Sequence, residues 1–304
     1  MNRVPLKEIA RLFPAAVRNW QNDKAPRLGA ALAYYMALSL APTIVIMLAM
    51  AGWAFGAKAA TGRLVWQIQS LMGPQGALLV QTLIDGAHQP SHGIAATVIG
   101  LVTLFFGATA VVSELKDALN TIWRVPEESF ATTGQTIFKL IEDRLLSFLL
   151  VLGAGFYLLV SVAFSAWISL AGRYIGALTA PPVLIRAVDW MVSFAVTTAL
   201  LAFIFKVLPQ VRLKWLDVIS GAALTSLLFT TGKYLLGVYL AKAGFADTYG
   251  AAGSLVILLV WIYYTAQLLY LGAEFTRVYA LRFGSLFPGD LHFTDPKVGR
   301  RVQG

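Results

Sequence analysis

Cysteine is absent from this 304-residue chain. Its absence excludes thiolate nucleophiles, Cys-ligated zinc and Cys-held iron–sulfur clusters. Charge is scarce as well: Asp, Glu, Lys and Arg make up 13%, against about 25% in soluble domains. So little polar surface cannot cover the core of a soluble protein of this size. Histidine occurs three times, as His88, His92 and His292. Pro90 separates the first two and argues against a helical metal pair. The chain has no HExxH, no GxxxxGK[ST] and no G-x-S-x-G, so zincin, P-loop and serine-hydrolase chemistry lack their carriers. No internal repeat is visible.

Apolar residues are abundant: 58% of the chain is hydrophobic and the mean hydropathy is +0.70. This composition predicts an all-α polytopic membrane protein. A bilayer core about 30 Å thick needs about 20 apolar residues in helical form. Six stretches meet that need, near 30–56, 94–113, 145–170, 185–207, 217–240 and 251–276. The predicted organisation is a basic amphipathic segment over 1–29, a six-span domain over 30–280 and a basic tail over 281–304.

Lys and Arg set the expected orientation. Of the 24, eighteen fall in the N-terminal arm, 114–144, 206–216 and the tail, and four in the alternate loops. Basic residues collect on the cytoplasmic side, so both termini are expected there, as an even number of spans requires.

Three non-spanning pieces have helical apolar spacing. Leu6, Ile9, Phe13, Val17 and Trp20 predict a basic helix on the inner leaflet, kinked at Pro14 and able to meet anionic headgroups. Residues 57–93 predict two short outer helices divided by Gly73-Pro74, lying on the surface or capping an opening. Leu115, Ala118, Leu119, Ile122 and Trp123 predict a cytoplasmic amphipathic helix ending at Pro126.

Polar side chains inside spans are costly, so their placement is informative. Tyr263, Gln267, Tyr270 and Glu274 share one face of the sixth span, which Arg277 continues. Arg186, Asp189, Ser193 and Thr197 share one face of the fourth. On the fifth, Ser226, Thr230, Lys233 and Gly237 share another. Facing one cavity, the first two stripes would form a nearly continuous polar path, with Lys233 near its outer end. Packed against other helices, the same residues would be interhelical glue. Pro42 lies in the middle of the first span and marks a hinge or a static kink.

Three segments carry a family resemblance: AALAYYMALSLAPT at 30–43, ELKDALNTIWRVPE at 114–127, and the stretch from WLDVISGAALTSLLF at 215–229 through YGAAGSLVILLVWIYYTAQLLYLGAEFTRVYA at 249–280. Over roughly residues 15–280 the chain resembles the YihY/BrkB family of bacterial inner-membrane proteins. The resemblance implies six spans with both ends cytoplasmic. Members have been labelled virulence factors, linked to serum resistance, or ribonuclease BN, the last regarded as a misassignment. The family offers no catalytic residues to carry over.

The expected function is that of a transporter or flippase-like permease for an amphipathic or small polar solute or lipid, working without a cofactor or catalytic residue. Its expected partners are membrane lipids and that solute, not nucleic acid. A non-transporting envelope-assembly scaffold is the alternative. A membrane-tethered ribonuclease ranks last, because the cytoplasmic acids are scattered and metal-ligand spacing is missing.

Overall fold

Helices supply the regular structure wherever the chain is described, and no strand occurs among those residues. A computed structural model describes residues 11–87, 110–125, 182–211, 213–242 and 252–284. In chain order the helices are α1 (Leu12–Asn22), α2 (Ala25–Phe55), α3 (Ala57–Ala87), α4 (110–122), α5 (Pro182–Val207), α6 (Trp215–Lys242) and α7 (Gly253–Arg282). The first, fourth, fifth and sixth expected spans thus coincide with α2, α5, α6 and α7. The third expected span, and all but the last residues of the second, lie outside the described residues, as does the tail beyond 284. Among the described residues, Trp190–Val207 and Gly253–Arg282 are long and apolar enough to cross a membrane.

The outer surfaces of these helices fit a lipid surround. Trp190, Met191 and Phe203 on α5, and Leu227, Leu235, Val238 and Tyr239 on α6, are exposed. In water such a surface would be an aggregation liability; hydrocarbon is its natural solvent.

The helices α6 and α7 form the centre of the bundle, with α6 packed on α5 and α7 packed on α1, α2 and α3. Two Gly-x-x-x-Thr steps set the α6–α7 contact. A Cβ on Gly221 would overlap Thr276, and one on Gly272 would overlap Thr225. Each threonine also donates its hydroxyl proton 2.7 Å to the carbonyl one turn back, Thr225 to Gly221 and Thr276 to Gly272. Farther along, Gly232 receives Tyr264. These pairings run in opposite chain directions, so the two helices are antiparallel neighbours. Small residues admit this close approach where the hydrophobic effect supplies no drive.

Two expectations about the flanking helices are corrected. Residues 57–87 form one helix through Gly73-Pro74, not two. Pro74 removes one N–H, but apolar residues before it (Leu64, Val65, Ile68) and after it (Val80, Leu83, Ile84) join a single cluster around Ile44, which holds the helix through the break. The helix α1 begins at Leu12, so Pro14 falls in its first turn, where a missing N–H costs nothing, and no interior kink arises there. Its buried face is Leu12 and Ala16, packed with Phe275 of α7, while Phe13 stays exposed.

The apolar stripe of α4 is the expected one, and protein covers it. Leu115, Ala118, Leu119, Ile122 and Trp123 are buried in the main core with Ala25 and Leu32 of α2, Ala202 and Phe205 of α5, Val218 and Ala222 of α6, and Ala266, Tyr270 and Ala273 of α7. This helix is a wedge set into one end of the bundle.

Candidate functional site

The end of α4 and the turn between α1 and α2 meet at the wedge. Both are sharp helix stops made without glycine. Arg124 follows α4 at φ 53°, and Lys24 follows α1 at φ 54°. After α4, Val125 N–H donates to the Asn120 carbonyl and Arg124 N–H to that of Thr121, which is the Schellman pattern. A left-handed residue with a Cβ costs about 1 kcal/mol, so glycine is the usual choice. Lys24 and Arg124 are the non-glycine residues at positive φ among the described residues, and both border the same ion pair.

That pair is Asp23 with Arg124, Oδ1 to Nη2, at 3.9 Å. The other Asp23 oxygen lies 3.8 Å from Arg277 Nη1, and the same Nη1 lies 3.6 Å from Glu274 Oε2. The Glu274 side chain is 0% exposed, Arg277 11%, Asp23 14% and Arg124 56%. The site therefore grades from water at Arg124 to full burial at Glu274. By the antiparallel register Glu274 stands level with Ala223 of α6, about 12 Å along that helix from exposed Trp215.

Polar groups tie the wedge in elsewhere. Buried Asn120 accepts a hydrogen bond from Gln210 N–H through Oδ1 at 3.0 Å, joining α4 to the segment after α5. The Lys206 ammonium donates to the Leu213 carbonyl and stands 5.9 Å from the Trp215 ring centroid. Partial burial, and then the charge of Asp117, push the Glu114 carboxyl above the ordinary carboxylate range.

The sequence-predicted stripes fare differently. On α7, Gln267 fills the space beside Gly29 of α2 and its Nε2 lies 3.5 Å from the Ala25 carbonyl. Tyr270 is fully buried and Tyr263 half-buried in an apolar cluster with Ala33, Leu236 and Ile257. Gln267 and Tyr270 are thus covered by neighbouring helices. On α5, Ser193 is exposed and Thr197 half-buried; the side chains of Arg186 and Asp189 lie outside what is described. The helix α6 packs on both α5 and α7. On α6, Ser226 is buried and donates to the Phe194 carbonyl of α5 at 3.3 Å, Thr230 donates to the Ser226 carbonyl, and Lys233 is half-buried. The first-span helix α2 continues through Pro42.

Asp23 and Asn120 carry no signal in spacing that marks them as site residues. The one hint at Asp23 is its place between two helices, in Asn22-Asp23-Lys24 ahead of Pro26. Among the described residues no group of three or more His, Cys, Asp or Glu could hold a metal ion.

Comparison with known proteins follows the same segments. A family model described as "Virulence factor BrkB" matches residues 16–294. Curated relatives are called UPF0761 membrane protein. One from Alcanivorax borkumensis is 24% identical over 277 residues, covering 88% of this chain and 60% of the relative. One from Tolumonas auensis is 24% identical over 85% of this chain and 82% of the relative. MS0032 of Mannheimia succiniciproducens is 25% identical over 91% of this chain and 92% of the relative. The chain thus spans about three-fifths of the first relative's length and most of the other two. No solved structure matches.

Proposed function

Because this chain belongs to the BrkB virulence-factor family, whose relatives are named as membrane proteins, we propose that it is a six-span permease of the bacterial inner membrane. Both termini are cytoplasmic in this reading, and the cargo is an amphipathic or small polar solute or a lipid. The observation that carries it is the wedge α4. A short helix is inserted into the end of a lipid-facing bundle, and its tip is held by one loose ion pair, Arg124 with Asp23 at 3.9 Å. An assembly built for rigidity alone has no use for a buried carboxylate at that place, since apolar packing is more stable. The basic residues assign the wedge to the cytoplasmic end, where it closes an inner mouth. Anionic headgroups meet the exposed Arg11, just ahead of α1, and Arg18 of α1. No catalytic chemistry and no nucleic acid enter the proposal.

The scaffold reading draws on a different observation. The reciprocal Gly–Thr contacts of α6 and α7, and Gln267 against Gly29, use polar and small residues as interhelical glue.

Reconstitution separates the two. The purified chain in vesicles should speed the exchange of headgroup-labelled phospholipid between leaflets, or the counterflow of a small zwitterion. Arg124→Ala should change the rate without loss of folded protein. A folded chain that moves neither probe leaves the scaffold reading standing.

A further inference from the structure

Glu274 and Asp23 present an acceptor problem. Both oxygens of Glu274, Oδ2 of Asp23 and Nη1 of Arg277 are buried and lack a hydrogen-bond partner among the described residues. The two carboxyl groups converge on one nitrogen, Arg277 Nη1, yet two carboxylates have only lone pairs to offer each other. Arg277 Nη1 serves both from 3.6 and 3.8 Å, beyond charge-assisted hydrogen-bond length. Arg124 pairs with Asp23 from the exposed side of the site at 3.9 Å, which leaves Arg277 as the cation beside buried Glu274. A fully desolvated carboxylate without donors costs several kcal/mol. One hydrogen placed between the two groups turns an acceptor into a donor without added volume.

We propose that Glu274 and Asp23 form a proton-binding site, in which the two carboxyl groups share one proton beside Arg277. A like arrangement of two carboxyls over one proton is a known solution to the same repulsion. The charged groups facing it are Arg277 on α7, Arg124 at the end of α4 and Asp23 in the α1–α2 turn. Tyr270 lies one turn away on the same helix. Loss of the proton would restore the repulsion beneath the Asp23–Arg124 pair, so site occupancy bears on how firmly the wedge is held. The site requires no transported solute, and its test stands apart from the flux assay.

The test is infrared difference spectroscopy of the full chain in lipid nanodiscs, titrated from alkaline to acid buffer. The wild type should show the carbonyl stretch of a protonated carboxylic acid persisting through neutral pH. Glu274→Gln and Asp23→Asn should each lose that neutral-pH band, since either amide supplies the missing donor. Glu114→Gln should keep it. If Glu274→Gln fails to fold, Asp23→Asn reads the same proton. A band that survives in both amide variants, or that vanishes in Glu114→Gln alone, overturns the proposal. So does a wild type without the band whose unfolding temperature rises with sodium and loses that response in Glu274→Gln, which would make the ligand a metal cation.

Discussion

Gly221 and Thr276 lie against each other with no room for a methyl group between them, and Gly272 and Thr225 repeat the contact one turn away in the opposite sense. The bundle's central joint is therefore a matter of missing atoms. Gly221→Ala should lower the stability of the folded chain by about 1–3 kcal/mol through overpacking. Gly221→Ala combined with Thr276→Ala should recover part of it, because the second change removes the nearest obstruction, Oγ1, while Cβ stays 2.8 Å from the added methyl. Thermal unfolding in detergent measures both. Additive losses in the double variant would show that the contact is not the cause.

Asn120 is the wedge's polar tie. Asn120→Ala should leave the Gln210 N–H without its acceptor and cost about 1–3 kcal/mol. Asn120→Asp keeps an acceptor there and should cost less. Protease susceptibility after residue 123 is a suitable second readout, since a loosened α4 exposes Trp123. Equal losses for both variants would point to packing volume as the cause.

The wedge also carries a titrating group. Burial and Asp117 raise the Glu114 carboxyl in the folded chain, so its contribution to stability is fully present below the unfolded carboxylate pKa and is lost as pH rises through the folded value. Glu114→Gln mimics the protonated form. It should therefore gain stability over the wild type at neutral pH, by about 1–2 °C in unfolding temperature given the partial exposure, and the gap should close in acid. A variant less stable than the wild type at neutral pH would reverse the sign and defeat the argument.

Cysteine mapping needs no background removal in this chain, because no native thiol is present. Gln75→Cys should react with a membrane-impermeant maleimide added outside intact spheroplasts, and a Cys in place of Gln21 only after permeabilisation. Labelling of position 75 from the cytoplasmic side alone would invert the proposed topology.

Much of the described architecture is legible in the residues themselves. The apolar runs predict α2, α5, α6 and α7 because length and hydropathy leave few other solutions, and the five apolar residues of α4 are the ones the structure buries. What covers them is not legible: an amphipathic helix reads alike whether its apolar face rests on lipid or on protein. The stripe on α7 foretells that Glu274 meets a polar partner, and Arg277 is that partner. Asp23 stays hidden because it gains its meaning from Arg124 and Arg277, 101 and 254 positions away, and spacing along a helix informs only over a turn or two. Gly73-Pro74 misleads for the converse reason. Two strong local breakers are overruled by the distant Ile44.

The burial of α4 has a consequence for synthesis at the ribosome. Leu119, Ile122 and Trp123 share their core with Phe205, Val218 and Ala273, residues that emerge long after them. Until α7 has been made, the wedge has no socket, and its apolar face must wait against the bilayer or a holding factor. Domains whose contacts span such sequence distances assemble late and are vulnerable meanwhile. Nascent chains stalled ahead of residue 253 should therefore leave Trp123 open to labelling and proteolysis, and release through residue 284 should close it.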